Sequence, residues 1–331
     1  MNRILMIATG GTIASQRTAR GLEPLLTSEE VLRFVPGIGG FCQVDTLQLM
    51  NLDSTNIAPR HWLQMAAAIE ENYDAYDGFV LCHGTDTMAY TAAALTYLVQ
   101  GSPKPVVITG AQRPIDLELT DAKQNLSDSF RYACHPGACG VQIVFDGKVI
   151  AGARAKKTRT KSYNAFSSIN FPTLAILQDG RVIQYLREEP GERPRFFHSL
   201  NTRVGLCKLI PGAGSDLLAY YLSRHDAVLI ESFGVGGLPQ GEDAGFFREI
   251  DRFAAQGKVI VMTTQVQSEG SDMSIYQVGR EIKERHRLLE TYDMTLEAAV
   301  TKLMWILAQT RDRAEIARLF YTPVAHDLSF V

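Results

Sequence analysis

The chain has 331 residues, of which 46% are hydrophobic and 21% are charged, and its formal net charge is −3 at pH 7. This composition is typical of a folded globular protein, and it offers no basic excess for binding nucleic acid or a membrane surface. The length suits two domains or one large one.

The sequence also favours a cytoplasmic location. No run approaches the roughly 18 consecutive apolar residues that a membrane-spanning helix needs. A secretory signal is not expected, because the first predicted strand begins close to Met1 and a cleavage site would have to overlap residues 9–12. The cysteines are odd in number and scattered, which favours a reducing compartment; they are Cys42, Cys82, Cys134, Cys139 and Cys207.

Apolar runs bounded by turn residues alternate with helical periodicity in the first half of the chain. This alternation predicts an α/β fold, in which a mostly parallel sheet is flanked by helices. The predicted strands cover residues 3–8, 43–51, 78–82, 105–109 and 141–145. Helices are predicted over residues 59–73 and 88–99, the second beginning at the Thr85–Asp86 corner with its positive end facing the site.

A charged, proline-bearing stretch without obvious period follows at residues 187–195. We therefore predict a larger N-terminal domain over residues 1–188, a linker over 189–203 and a smaller C-terminal α/β domain over 204–331. Its predicted strands cover residues 204–210, 227–232 and 259–263, and its predicted helices cover residues 215–223, 245–256, 294–308 and 312–320.

Two predicted strands end in glycines and hydroxyl side chains. Residues 9–12 read Thr-Gly-Gly-Thr, and residues 83–87 read His-Gly-Thr-Asp-Thr. Because the carboxyl ends of parallel strands meet at one edge of a sheet, this edge is the expected site. Neither this opening nor residues 234–237 completes a phosphate-binding glycine motif, so the glycines are read as tight turns. No metal-ligand spacing occurs, and no metal or other cofactor is expected.

These side chains suggest nucleophilic chemistry. A threonine hydroxyl is a weak nucleophile at neutral pH and needs a base to attack a carbonyl. A partly desolvated lysine can supply that base. The basic run at residues 154–161 offers such a lysine, although a run of this kind is also typical of a solvated loop.

Together, residues 9–14, 51–55 and 83–88 resemble motifs of the bacterial L-asparaginase family, with its cytoplasmic type I branch as the closer match. The resemblance runs nearly from end to end and includes residues 107–112, 154–157, 210–212, 234–239 and 293–307. It implies hydrolysis of L-asparagine to L-aspartate and ammonia without a cofactor. It also implies a homodimer or homotetramer in which a neighbouring subunit completes each site.

The resemblance further implies roles for individual residues. Thr12 corresponds to the nucleophile, and Thr85, Asp86 and Lys157 form a second catalytic group. Asp86 would also hold the substrate's α-ammonium group. The other substrate contacts implied, through side chains or backbone groups, are those of Gly11, Asp53, Ser54, Thr55, Gly84 and Ala111.

Structural roles compete with these assignments at several positions. Thr9 and Thr87 fit turn and capping groups, since hydroxyls commonly satisfy free backbone groups at such corners. His83 is expected to be a packed, hydrogen-bonded residue. Asp53 fits a strand-ending turn as well as it fits a substrate contact.

One departure from the family lies in the loop after Thr12. Family members usually carry a tyrosine there that hydrogen-bonds to the nucleophile, whereas this chain has Leu22, which has no hydroxyl. Tyr163 or Tyr276 could reach the site instead, or Thr12 could be activated differently. The loop is polar and contains Gly21, which is consistent with a mobile lid that closes over the substrate.

Three functions remain open. The first is an L-asparaginase, with weak glutaminase activity as an addition, because one methylene changes binding by only about 1–3 kcal/mol. The second is the amidase subunit of a tRNA-dependent amidotransferase, which normally carries an added amino-terminal domain that we do not expect here. The third is a weakly active protein that binds asparagine or aspartate.

Overall fold

The computed structural model describes residues 1–19, 21–187, 189–239, 245–275, 280, 283, 285 and 287–329. The chain forms two compact units, Met1–His198 and Ser199–Val331. The boundary between them lies inside the predicted linker of residues 189–203.

The first unit contains the segments that end in hydroxyl side chains. Its strands are β1 (Asn2–Gly10), β2 (Ser15–Thr18), β3 (Gly21–Pro24), β4 (Cys42–Leu52), β5 (Gly78–Cys82), β6 (Val99–Gln100), β7 (Pro105–Thr109), β8 (Gly140–Phe145), β9 (Lys148–Ala151), β10 (Ala155–Lys157), β11 (Phe166–Ser168), β12 (Ala175–Gln178), β13 (Arg181–Gln184) and β14 (Arg195–Phe196). Its α-helices among the described residues are α1 (Ser28–Arg33), α2 (Pro59–Glu71), α3 (Met88–Leu98) and α4 (Ala122–Ala133).

An eight-stranded sheet in the order β13-β12-β9-β8-β7-β5-β1-β4 forms the centre of this unit. The five strands from β8 to β4 are parallel, and they are the five that the apolar runs predict. Strands β9, β12 and β13 extend the sheet in antiparallel fashion. Every residue of β5 and β7 is buried, which explains why these strands read as continuous apolar runs.

The sequence pattern missed several elements of the first unit. Helix α4 was not predicted, because its buried face includes the polar side chains of Asn125, Asp128 and Ser129. The segment expected to be a polar loop after Thr12 contains the β2–β3 hairpin, in which Arg17 pairs with Leu22. Helix α3 was predicted correctly over residues 88–99, since it covers Met88–Leu98 and follows the Thr85–Asp86 corner by two residues.

The second unit is a smaller α/β unit, as predicted. Its strands β15 (Val204–Lys208), β16 (Ala227–Ser232), β17 (Val259–Thr264) and β18 (Leu289–Glu290) form a parallel sheet in chain order. Its described α-helices include α5 (Ser215–Arg224), α6 (Phe246–Ala255), α7 (Leu296–Gln309) and α8 (Arg313–Tyr321). Within the described part of the chain, no helix combines the length and apolarity that a membrane crossing requires.

Glycines bring the ends of three parallel strands into direct contact. Gly11, after β1, has φ of +81°, and a Cβ placed on it would lie 2.4 Å from both the Cα and the N of Gly84, after β5. A Cβ on Gly84 would lie 2.6 Å from the Oγ of Ser54, after β4. Only residues without a side chain allow the three segments to approach this closely.

This contact predicts that Gly11→Ala destabilises the protein more than Gly212→Ala. Both glycines have φ of +81°, but a Cβ on Gly212 would meet no atom within 4 Å. Both variants therefore carry the backbone strain of about 1–2 kcal/mol, and Gly11→Ala adds overpacking worth about 1–3 kcal/mol. Thermal and denaturant unfolding of the two variants measures the difference. Equal losses would contradict the close contact.

Candidate functional site

The candidate site lies at the carboxyl edge of β1, β4, β5 and β7, where ligands of parallel α/β sheets commonly bind. Thr12 opens a short 3-10 turn, Thr12–Ala14, directly after Gly11. Thr12 is half-buried, and its hydroxyl makes no hydrogen bond with any described residue. Gly11 contacts Gly84, and Thr12 and Thr85 are the residues that directly follow these two glycines.

Lys157 joins the two polar residues that follow Gly84. Its Nζ donates to Thr85 Oγ1 at 2.8 Å and to Asp86 Oδ1 at 2.6 Å, across 72 and 71 residues of sequence. The pairing of β10 with β11, with Lys157 opposite Phe166, holds the backbone of this lysine. The structure thus brings together the three residues of the predicted second catalytic group.

The accessibility of this group differs between its members. Thr85 is buried, and the Lys157 side chain is only 16% exposed, whereas the Asp86 side chain is 58% exposed. Asp86 Oδ2 accepts no hydrogen bond from a described residue. One end of the Lys157–Asp86 ion pair therefore faces solvent and can take a second cationic partner.

The turn after β4 supports the Asp86 segment. The buried Ser54 accepts a hydrogen bond from the Asp86 N–H at its Oγ (3.2 Å) and another from the Thr87 hydroxyl at its carbonyl (2.8 Å). Asp53 Oδ1 accepts from both the N–H and the hydroxyl of Thr55 at 2.8 Å, so it caps the Ser54–Asn56 turn. The Thr87 hydroxyl therefore links the loop after β5 to the turn after β4, and it does not cap helix α3.

The backbone N–H groups at the site differ in whether they already donate a hydrogen bond to a described residue. The Gly11 N–H donates to the carbonyl of Leu52 at 2.9 Å. The N–H groups of Gly84 and Ala111 donate to no described residue, although both residues are buried. Thr9 is structural, because its hydroxyl donates to the carbonyl of Cys82 at 2.9 Å inside the sheet.

His83 is fully buried in a chain of hydrogen bonds. Its Nε2 lies 2.9 Å from Thr91 Oγ1, which also accepts from Trp62 Nε1 at 3.0 Å, and its Nδ1 lies 2.6 Å from the carbonyl of Gly84. A neutral ring with its proton on Nδ1 gives each of these groups a hydrogen bond. Nδ1 donates to the Gly84 carbonyl, which can only accept, and Nε2 accepts from the Thr91 hydroxyl. Burial lowers the pKa of His83 to about 4. This is the packed histidine that the sequence predicts.

The sequence analysis did not name three polar residues that lie near the site after β7: Gln112, Asp121 and Asn125. The buried Asp121 accepts from the N–H groups of Gln112 (2.9 Å) and Arg113 (3.1 Å), and Asn125 donates to the carbonyl of Gly110 (3.0 Å). Burial raises the pKa of Asp121, although these hydrogen bonds oppose the rise. The one feature of the sequence that could have indicated these residues is that Gln112 closely follows the buried strand β7.

Among the described residues, no tyrosine hydrogen-bonds to the Thr12 hydroxyl in place of the one that Leu22 lacks. Leu22 is 52% exposed on β3. The Tyr163 hydroxyl lies 3.5 Å from the carbonyl of Leu119, and its ring lies below the Arg113 guanidinium. Tyr276, the other predicted replacement, lies outside the described residues.

Comparison with known proteins covers both units. The family model described as "Asparaginase, N-terminal" matches residues 3–190, and "Glutaminase/Asparaginase C-terminal domain" matches residues 203–320. A relative named L-asparaginase, from Thermococcus kodakarensis, is 36% identical over 99% of both chains. The solved structure of the thermostable L-asparaginase from that organism matches with a TM-score of 0.92 at 33% identity, covering 99% of this chain and 100% of that one.

Two further relatives carry different names. L-asparaginase 1 of Escherichia coli is 33% identical over 95% of this chain and 94% of the relative. A subunit of the glutamyl-tRNA(Gln) amidotransferase of Pyrococcus horikoshii is 30% identical over 98% of this chain and 76% of the relative.

The buried His83 predicts a specific acid sensitivity. Its pKa of about 4 lies below the value of about 6.5 expected in the unfolded chain. The unfolded state therefore binds more protons between these values, and stability falls as the pH drops from 6.5 to 4, by about 3 kcal/mol from this residue. Urea unfolding across this range should show a shallower loss for His83→Gln than for wild type. Parallel losses would contradict a neutral buried His83.

Proposed function

The chain belongs to the asparaginase family, and we propose that it is an L-asparaginase, an amidohydrolase that converts L-asparagine and water to L-aspartate and ammonia. The observation that carries this proposal is that Lys157 Nζ contacts both Thr85 and Asp86 beside the turn that begins with Thr12. Family membership supplies the reaction class, and these contacts supply groups suited to it.

In the proposed first step, the Thr12 hydroxyl attacks the side-chain amide carbon of asparagine. The new C–O bond makes a tetrahedral intermediate, and cleavage of the C–N bond releases ammonia and leaves a β-aspartyl ester on Thr12. Water then cleaves the ester and releases aspartate. The partly exposed position of Thr12 and the lack of a described hydrogen-bond partner for its hydroxyl support this role.

Thr85 and Lys157 act as the base in both steps. This relay requires Lys157 in its neutral amine form. The proton of the attacking hydroxyl, or of the water, then passes to Thr85 Oγ1 as Thr85 gives its own proton to the Lys157 amine. The 2.8 Å contact supports this relay, and general base catalysis of this kind contributes about 10²–10⁴ in rate. The same proton later serves the leaving ammonia.

Asp86 and Ser54 orient the amino acid. The exposed carboxylate of Asp86, with Oδ2 accepting from no described residue, suits the α-ammonium group. The hydroxyls of Ser54 and Thr55 suit the α-carboxylate. Asp53 acts through the turn that it caps, because a carboxylate would repel the substrate's own.

The oxyanion of the intermediate requires backbone donors. Gly84 and Ala111 are the better candidates, since the Gly11 N–H already donates to Leu52. The loss of one such donor typically raises the barrier by about 3 kcal/mol. Gly11 contributes by permitting the close approach of the two loops.

The wider biological assignment is also a proposal. A cytoplasmic location is consistent with five cysteines that are all free. A homodimer or homotetramer, with a neighbouring subunit completing each site, follows from the family resemblance. The amidotransferase alternative draws on the relative from Pyrococcus horikoshii, which is less identical to this chain than the L-asparaginase from Thermococcus kodakarensis.

Ammonia release from L-asparagine by the purified full chain tests the proposal. Thr12→Ala, Thr85→Ala and Lys157→Met should each lower kcat/KM by at least about 10²-fold, because each removes the nucleophile or part of the base. The matched controls Thr46→Ala on β4 and Lys148→Met on β9 should leave it unchanged.

Three results would redirect the proposal. Equally slow release by wild type and the three site variants, with aspartate still bound, would indicate a binding protein. Release only after addition of a partner protein and tRNA would indicate a component of an amidotransferase. A kcat/KM for L-glutamine as high as for L-asparagine would make the enzyme a glutaminase-asparaginase.

A further inference from the structure

The buried side chain of Asn125, on helix α4, holds the segment that follows β7. Its Nδ2 donates to the carbonyl of Gly110 at 3.0 Å and to Asp121 Oδ2 at 3.2 Å, and its Oδ1 accepts from the Asp146 N–H at 2.9 Å. The Gly110 carbonyl can only accept and the Asp146 N–H can only donate, so these partners fix which end of the amide faces which group. Both N–H bonds of the Asn125 amide are therefore in use.

The Gly110 carbonyl and the Ala111 N–H are the two ends of one peptide group. No cis peptide bond occurs among the described residues, and in a planar trans peptide the N–H points opposite to the carbonyl. Because the carbonyl is directed at Asn125, the Ala111 N–H is directed away from it. Ala111 is buried, and its N–H donates to no described residue.

The Gly110–Ala111 peptide also packs against the end of β5. A Cβ placed on Gly110 would lie 2.2 Å from the carbonyl oxygen of His83. That carbonyl belongs to the same peptide group as the Gly84 N–H, so the two peptides that carry the candidate oxyanion donors, Gly84 and Ala111, are neighbours. Asn125 therefore sets the orientation of one of two neighbouring peptide groups at this edge of the sheet.

We propose that Asn125 is a positioning residue for the amide hydrolysis, which holds the Gly110–Ala111 peptide so that the Ala111 N–H donates to the oxyanion of the tetrahedral intermediate. This inference rests on the proposed function, because the oxyanion forms only if the chain hydrolyses an amide. The hydrogen bond to the Gly110 carbonyl also strengthens the Ala111 N–H as a donor, since hydrogen bonds in a chain polarise one another. Asn125 itself touches no reacting atom.

The expected effect of removing this hydrogen bond falls on kcat. The amide oxygen gains its negative charge only on the way to the intermediate, so a misdirected donor raises the barrier and leaves ground-state binding nearly unchanged. Complete loss of one oxyanion donor lowers kcat by about 10²–10³. A donor that is present but turned from its best direction costs less, and we expect a loss of at least about tenfold.

Two substitutions separate the Gly110 contact from the other contacts of Asn125. Asn125→Leu keeps the approximate shape and removes all three hydrogen bonds. Asn125→Asp keeps an oxygen that accepts from the Asp146 N–H, and its second oxygen replaces the NH₂ group beside Asp121 Oδ2. Two carboxylates this close share a proton, which lies between them because a charged acceptor binds it more strongly than the Gly110 carbonyl does. Asn125→Asp therefore removes the Gly110 hydrogen bond alone.

The experiment measures kcat and KM for L-asparagine and the Kd of L-aspartate at a single pH, with melting temperature as the control for folding. We expect both Asn125 variants to lower kcat by at least about tenfold, with KM and Kd within about twofold of the wild-type values. The matched control is Ser129→Ala, which removes a buried hydroxyl that donates to the Asn125 carbonyl within α4 at 2.6 Å. Ser129→Ala should keep the wild-type kcat.

Several outcomes would overturn the inference. An unchanged kcat in Asn125→Asp would show that the Gly110 hydrogen bond does not serve the reaction, even with Asn125→Leu impaired. A change confined to KM and Kd would make Asn125 a support for substrate binding, and an equal loss of kcat in Ser129→Ala would indicate helix stability alone. If Asn125→Leu fails to fold, Asn125→Asp decides. Failure of the proposed function is a separate result, because wild type would then release no more ammonia than Thr12→Ala.

Discussion

The backbone contact between Gly11 and Gly84 is the constraint on which the candidate site depends. A Cβ on Gly11 would overlap the backbone of Gly84 and so keep the ends of β1 and β5 apart, and a Cβ on Gly84 would overlap Ser54 after β4. The contact sets the residue after each glycine, Thr12 and Thr85, at the same edge of the sheet. In the proposed mechanism, this packing of two strand ends is what places the nucleophile next to its base.

Lys157 is the second feature on which the candidate site depends, because it contacts two of its polar residues. Its Nζ contacts both Thr85, which is buried, and Asp86, which is largely exposed. In the proposed mechanism, proton transfer takes place on the buried Thr85 side of Lys157 and the substrate binds on the exposed Asp86 side. In the proposed mechanism, the α-ammonium of asparagine meets Asp86 on the exposed side, and the amide meets Thr12 beside the buried side. Both proposed roles, substrate orientation and base action, therefore depend on the contacts of Lys157.

The sequence predicted the parallel strands well, because β5 and β7 are buried on both faces and read as unbroken apolar runs. It predicted α4 and the β2–β3 hairpin poorly. Helix α4 buries polar side chains such as Asn125, whose hydrogen-bond partners come from distant segments. Apolar periodicity cannot identify a buried face of that kind.

The residues of the candidate site also differ in how well the sequence predicts them. Motif resemblance predicts Thr12, Thr85, Asp86 and Lys157 as catalytic residues, but the contact between Thr85 and Lys157 spans 72 residues and no local pattern predicts it. Asp121 and Asn125 were missed as functional candidates because their contacts exist only after folding. His83 was predicted correctly as structural, since its hydrogen bonds lie within the packed edge of β5.

In the proposed mechanism Thr12, and not Thr85, forms the covalent bond to the substrate. Rapid acid quench of the protein during turnover of L-asparagine, followed by peptide mass spectrometry, identifies the residue that carries the bond. We expect a β-aspartyl ester on Thr12 and none in Thr12→Ala. An ester on Thr85, or undiminished hydrolysis by Thr12→Ala, would contradict it.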